Sequence, residues 1–375
     1  MSLTRRTNIL LLALTVIIAC STLHSAKAQK APKLAVIAYF MGKGPEADSY
    51  PVEKLTHIIY SFLHLEGNVL KDRESDSIAI THLVSLKQRN PGLKVILSLG
   101  GWGGCPTCTE VFATETGRQE FARSVKHLVA KYKADGLDLD WEYPAIASVP
   151  GFAYSPNDKG NITLLVKALR ETLGKGYELS FAAGGFREFF VNSIEWDKVM
   201  PSLDYVNLMT YDLVNGYSSR TGHHTPLFST PEQQGSVDYA IRFLDSLGVP
   251  KNKMVIGAAF YARILRNAKN ENHGLYQDAE FAAYVNFHDF GSYFKAGSGF
   301  TYYWDDIAKA PYRYNAEKEL FATFDDERSV ELKTRYALSK QLGGIMFWSL
   351  NGDRFEHGLL DVIDKVKHEN APAFR

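Results

Sequence analysis

Asp138, Asp140 and Glu142 occupy every second position of the stretch DGLDLDWEYP that runs from Asp135 to Pro144. In an extended strand alternate side chains share a face, so the three carboxylates point one way while Leu139 and Trp141 point the other. Like charges this close cannot all ionise cheaply, and at least one proton is expected to be retained or shared. That is a device for acid catalysis. A purely structural role would need cations to balance the charge, and the neighbouring strand candidates offer no cluster of lysines or histidines. A divalent-cation site fits poorly as well, because ligands from one strand cannot surround an ion octahedrally. Neither a metal nor a cofactor is expected.

Eight short apolar or β-branched runs supply the frame, at 33–40, 56–65, 94–102, 136–143, 178–186, 203–211, 253–261 and 343–350. Amphipathic stretches separate them, such as 117–133, 159–174, 235–247 and 327–341, and a last one lies at 362–368. This alternation predicts an α/β fold, a (β/α)8 TIM barrel, with the acids facing the barrel interior and Leu139 and Trp141 facing the helices. Glu142 then sits at the C-terminal end of its strand, where such barrels keep their active sites. One connection is far longer than a barrel needs. Between Tyr261 and Glu327 the chain is rich in Tyr, Phe and Gly, which predicts a small α+β insertion after strand seven, placed to wall a groove. The expected organisation is a leader at 1–28, barrel at 29–263, insertion at 264–322 and barrel again at 323–375.

Forty-two basic residues balance 42 acidic ones in 375, so no net field draws the protein to nucleic acid or anionic lipid, and a neutral ligand is expected. Aromatic content of 13% suits stacking on sugar rings, although most such rings pack cores. Arg5 and Arg6 followed by an apolar run from Ile9 to Ala19, too short to span a bilayer, read as an export signal. Ala26-Lys27-Ala28 fits cleavage before Gln29, while Ile17-Ile18-Ala19-Cys20 resembles a lipoprotein box with Cys20 acylated. A secreted, periplasmic or surface location follows. Cys105 and Cys108 are then left as a local disulfide bracing a loop. His223-His224 reads as a solvated loop pair, and the Asn161 sequon, at a helix start, is not taken as glycosylated.

The stretch DGLDLDWEYP resembles the signature of glycoside hydrolase family 18, every defining position being filled. Similar motifs follow in matching order along the chain: Ser98-Leu99-Gly100-Gly101-Trp102, Met209-Thr210-Tyr211-Asp212, Gly257 with Phe260-Tyr261 and Arg263, and Trp348 closing the last strand. The insertion is similar to the small domain of the family's chitinases with deep clefts. The resemblance implies a substrate of β-1,4-linked N-acetylglucosamine and a nucleophile that belongs to that substrate. Glu142 would protonate the glycosidic oxygen while the 2-acetamido oxygen attacks the anomeric carbon. Asp140 would orient the acetamide N–H, Asp138 would share a proton with Asp140, and Tyr211 would hold the acetamide oxygen. Trp348 would floor the pocket, with Met209 under the acetamide methyl, Asp212, Tyr261 and Arg263 near the cut, and Trp102 beyond it. Tyr39 and Phe62 are further candidate linings. The C-P-T-C segment after Gly104 departs from the family pattern beside Trp102. An endo-β-N-acetylglucosaminidase acting on N-glycans would share the chemistry but depart from the W-E-Y-P ending, and a chitin-binding lectin of the same fold would lack the acid at Glu142.

Overall fold

The computed structural model of the protein describes residues 34–369, so the leader and Cys20 lie outside the described residues. The sheet begins with β1 (Ala35–Phe40) and β2 (His57–Glu66), and a three-residue strand, β3 (Val69–Lys71), folds back antiparallel on the end of β2. It continues through β4 (Lys94–Gly100), β5 (Gly136–Asp140), β6 (Glu178–Gly184), β7 (Tyr205–Met209) and β8 (Met254–Ala259). An excursion of five strands follows: β9 (Tyr261–Arg266), β10 (Glu280–Asn286), β11 (Thr301–Asp305), β12 (Ala310–Asn315) and β13 (Leu320–Thr323). Finally β14 (Gly344–Trp348) pairs with β8 on one side and β1 on the other, and β1 also pairs with β2. The eight main strands are therefore all parallel and closed, a (β/α)8 barrel.

Period-two patterning divides the side chains as expected. Leu137, Leu139 and Trp141 pack outward in the large core between barrel and helices, whereas Ile37, Ile59, Ile96, Val255 and Met346 fill the interior. The helices start where the sequence caps them. Thr114 accepts a hydrogen bond from the Gly117 amide at 3.0 Å to open Glu115–Tyr132, and Asp326 accepts from the Ser329 amide at 2.9 Å to open Glu327–Ser339.

The excursion folds as an antiparallel sheet in the order β10-β9-β13-β12-β11, with one four-residue helix at Phe290–Tyr293. Its strands run from Tyr261 to Thr323, slightly outside the range 264–322, because the chain leaves the barrel directly after Phe260. Stacked rings of Tyr303, Tyr312 and Phe321 tie its strands together. His223 and His224 are fully buried, contrary to the expected solvated pair. They pass beneath this sheet, where His223 Nε2 lies 3.0 Å from Asp305 and His224 Nδ1 lies 3.6 Å from Asp212. Cys105 and Cys108 are joined as a disulfide, both sulfurs turned into the core. No helix among the described residues is long and apolar enough to cross a membrane.

Candidate active site

A cleft of about 1250 Å3 opens over the C-terminal ends of the barrel strands. Asp140 and Glu142 line it, as do Trp348, Phe62, Tyr39 and Met209. Tyr211, Asp212, Tyr261, Arg263 and Trp102 complete the set of sequence candidates that reach it. Asp138 lies one layer deeper, fully buried.

Asp138 is held from four sides. Tyr39 Oη and Ser98 Oγ donate to its Oδ2 at 3.1 and 3.0 Å, while Ser180 Oγ and Asn207 Nδ2 donate to Oδ1 at 2.6 and 3.1 Å. Burial raises its pKa, and these four donors pull it back. Asp140 has no such help: its Oδ1 is buried with no hydrogen-bond partner. Burial, then the charges of Glu142 and Asp138, push its pKa well above the carboxylate range. The four donors thus favour charge on Asp138, whereas burial and two neighbouring carboxylates favour a proton on Asp140. Glu142 is half-buried at the cleft mouth. Burial pushes its carboxyl up to about 7, the Tyr143 hydroxyl opposes the shift, and the Asp212 carboxylate adds to it.

Across the cleft, Tyr211 is buried, and among the described residues its hydroxyl donates only to Met346 Sδ, at 3.8 Å. Burial followed by the charges of Asp140 and Glu142 raises its pKa well above the phenol range, so it remains a donor. Gly257 makes room for it: a Cβ there would lie 2.8 Å from the Tyr211 ring. Asp212 and Arg263 form a two-pronged ion pair at 2.8 and 2.7 Å, and the guanidinium lies over the rings of Tyr261 and Tyr284. Burial would raise the Asp212 pKa, but His224 and Arg263 outweigh it and hold the carboxyl well below its usual range. This pair forms part of the cleft wall.

The floor is aromatic. Phe62 stacks on Trp348 with centroids 5.6 Å apart and planes 15° from parallel, and the Tyr39 ring lies tilted against Trp348 at 5.9 Å. Gly101, at φ +76°, lets Phe62 in, since a Cβ there would stand 2.3 Å from its ring. Non-proline cis peptides occur at Ser61-Phe62 within β2, at Glu142-Tyr143 just beyond β5 and at Trp348-Ser349 at the end of β14, each involving a residue that lines the cleft. Trp102 is half exposed, with Tyr143 and Tyr217 rings 6.4 and 6.0 Å away. Sequence reasoning missed Ser180, Asn207 and Tyr143 and gave no role to Ser98. Ser180 and Asn207 carried a usable signal, as polar residues on the inward face of otherwise apolar strands.

The profile of the glycosyl hydrolases family 18 matches residues 35–353, all eight barrel strands with the excursion. The chain belongs to glycosyl hydrolase family 18. It is 38% identical to chitinase A1 of Niallia circulans over 300 residues, 73% of this chain and 43% of that protein. It is 31% identical to an endochitinase of Manduca sexta over 87% of this chain and 64% of that protein. The chain thus spans less than two thirds of either relative. Among solved structures, a family 18 N-acetylglucosaminidase from Paenibacillus barengoltzii superimposes with a TM-score of 0.80 at 36% identity, covering 89% of this chain and 99% of that one. A group IV chitinase of Ostrinia furnacalis in complex with allosamidin superimposes with a TM-score of 0.81 at 26% identity, over 89% and 98%.

Proposed function

We propose that this family 18 protein is a chitinase, hydrolysing β-1,4-linked N-acetylglucosamine chains with retention at the anomeric carbon. The observation that carries this reading is the pairing of a half-buried Glu142, poised near neutrality, with the lack, among the described residues, of a second carboxylate in the cleft free to attack. Asp140 is buried and keeps its proton, Asp138 is walled in by four donors, and Asp212 is locked to Arg263. A retaining glycosidase with one usable carboxyl needs its nucleophile from the substrate. A 2-acetamido group supplies it.

In the first step Glu142 gives its proton to the glycosidic oxygen, the anomeric C–O bond breaks, and the acetamide oxygen bonds to the anomeric carbon. The result is a cationic oxazolinium ring and a departed sugar alcohol. The free Oδ1 of Asp140 accepts the acetamide N–H, and the neighbouring ionised Asp138 stabilises the positive ring. Tyr211, a donor with only a weak thioether partner, holds the acetamide oxygen in line. Glu142, now a base, takes a proton from the water that opens the ring, and retention results from two inversions. Trp348 and Phe62 offer a flat floor beneath the reacting sugar, Met209 packs against its acetamide methyl, and Trp102 offers a stacking face beyond the cut. Oligosaccharides of N-acetylglucosamine are the partners this cleft suits. Export through the 1–28 leader, ending at Ala28 or with Cys20 lipidated, would bring the enzyme to that polymer.

The Paenibacillus barengoltzii neighbour is described as an N-acetylglucosaminidase, which supports a second reading, release of single sugars from chain ends. Purified protein and its Glu142→Gln variant, given N-acetylglucosamine oligomers and followed by chromatography that resolves anomers, separate the outcomes. Early β-anomers from the parent alone are expected. Early α-anomers would refute retention, single sugars as sole product would select the second reading, and oligomers bound but uncut by either protein would leave only a lectin.

A further inference from the structure

Behind the Tyr211–Asp212 wall lies a fully buried lysine that touches nothing in the cleft. Lys333, on the helix Glu327–Ser339, donates to Asp325 Oδ2 at 2.6 Å and to Thr225 Oγ1. Asp325 Oδ2 also accepts the Ala259 amide at 3.0 Å, and Oδ1 accepts the Ser329 hydroxyl at 2.6 Å. Lys333, Asp325, Thr225 and Ala259 are all at most 1% exposed. A buried ion pair is a poor way to gain stability, because desolvation offsets the attraction, and apolar residues of similar volume often serve as well. What this pair holds is therefore the more informative question.

It holds the two segments that carry the wall. The β7–β8 ladder ends at Leu208 opposite Ile256, and the Thr210 amide turns back to the Leu208 carbonyl at 2.8 Å. The chain leaves the sheet here. Thr210 Oγ1 stands in for the missing rungs, donating to the Gly257 carbonyl at 3.0 Å and accepting the Gly257 amide at 2.9 Å. The Thr210 carbonyl lies 3.1 Å from Thr225 Oγ1. Asp325 Oδ2 lies 3.2 Å from the same hydroxyl but is already taken by Lys333 and Ala259. A threonine hydroxyl has one proton, and with Lys333 filling its acceptor side that proton goes to the Thr210 carbonyl. The bond fixes the peptide plane from which Tyr211 and Asp212 project. The same carboxylate fixes the end of β8, two residues before Tyr261 and four before Arg263, which grips Asp212.

We propose that Lys333, Asp325 and Thr225 are positioning residues for the reaction: one buried clamp that sets Tyr211 and Asp212 from behind by tying the β7 exit to the end of β8. The proposal rests on the assignment of Tyr211 to the reacting acetamide. Displacing a group that must meet a reacting atom by about 1 Å costs on the order of 100-fold in rate.

Three variants test it: Thr225→Val, which keeps shape and loses only the hydroxyl, Lys333→Met, and the double variant Lys333→Met/Asp325→Leu, which leaves no unpaired charge. Thr225→Val is expected to lose about 10-fold and the double variant about 100-fold in kcat, with KM for the oligomers within about twofold. Thermal unfolding should place the double variant near the parent, which separates position from stability and keeps the test alive if Lys333→Met alone fails to fold. Parental kcat in a folded double variant overturns the clamp. A parent that cuts no oligomer instead overturns the functional reading, and the clamp is then judged by a crystal structure of Thr225→Val. There the Tyr211 hydroxyl is expected to leave Met346 Sδ, and an unmoved Tyr211 refutes the proposal.

Discussion

The two ends of one barrel treat buried acid in opposite ways. At the N-terminal end Glu178 faces inward from the start of β6 and is met by His57 from β2 at 3.0 Å and Lys94 from β4 at 2.5 Å, with Tyr205 edge-on to the imidazole. Burial raises its pKa, but His57 and Lys94 more than offset that and leave it below the usual value. Across the same interior, Asp138, Asp140 and Glu142 form no ion pair among the described residues, and all three pKa values are raised. The fold can neutralise an inward carboxylate when only stability is at stake. Where chemistry is proposed, it leaves the charges uncompensated and stores protons instead.

That contrast can be broken at its upper end first. Glu142→Gln keeps the shape of the site but cannot transfer a proton, and kcat on N-acetylglucosamine oligomers is expected to fall by on the order of 10³-fold with binding by calorimetry retained. Asp140→Asn comes next, at roughly 100-fold, and here stability should move the other way. The folded pKa of Asp140 is raised, so its contribution to stability is fully present below the unfolded value of about 3.9 and is lost as pH rises. Denaturant midpoints of Asp140→Asn and parent should therefore diverge in favour of the variant as pH is raised from about 4 upward. A variant less stable than the parent at neutral pH would mean that Asp140 is not held protonated. A smaller effect is pH itself. With Glu142 near 7, kcat/KM should decline through neutrality, by roughly tenfold from its plateau at pH 8, and a flat profile to pH 9 would exclude Glu142 as the acid.

The upper end was the more legible one in sequence. Alternation on β5 placed the acids inward without reference to any relative, and all eight barrel strands fall within the expected runs to within a residue or two at most ends. Period two is a strong signal when one face is apolar throughout, as with Leu137, Leu139 and Trp141. The helix Glu74–Ser85 gives a weaker one, because its buried face is narrow, carried by Ala79, Ile80 and Leu83 while Ile78 faces water, and β3 is three residues long. His223 and His224 were misread because burial in a loop depends on what later folds over it, here the excursion sheet some 80 residues on. The four donors to Asp138 come from β1, β4, β6 and β7, so that shell exists only after closure. The Lys333 clamp is illegible for the same reason: residues 210, 225, 259, 325 and 333 are strangers in sequence.

The lower end gives the smallest effect on rate and the sharpest control. Glu178→Gln removes the charge, and one of the two acceptor oxygens, from a bridge shared by His57 and Lys94, and Lys94 is half exposed, so water can take over part of its solvation. A loss of about 1–3 kcal/mol in unfolding free energy is expected, the range for a buried hydrogen-bonded charge partner. The pH dependence should be the mirror image of that at Asp140. A depressed folded pKa contributes stability that is present above the unfolded value of about 4.3 and is lost as pH falls below it through the lower folded value, so parent and Glu178→Gln should converge in stability on acidification. Meanwhile kcat should stay within twofold of the parent, since Ile59, Ile96 and Met346 fill the interior between this layer and the cleft and pass no charge. If kcat instead fell with Glu178→Gln in a protein still folded, the two ends would be electrostatically joined. The protons at the top would then be set in part by the pair at the bottom, and the separation drawn between the two ends would be wrong.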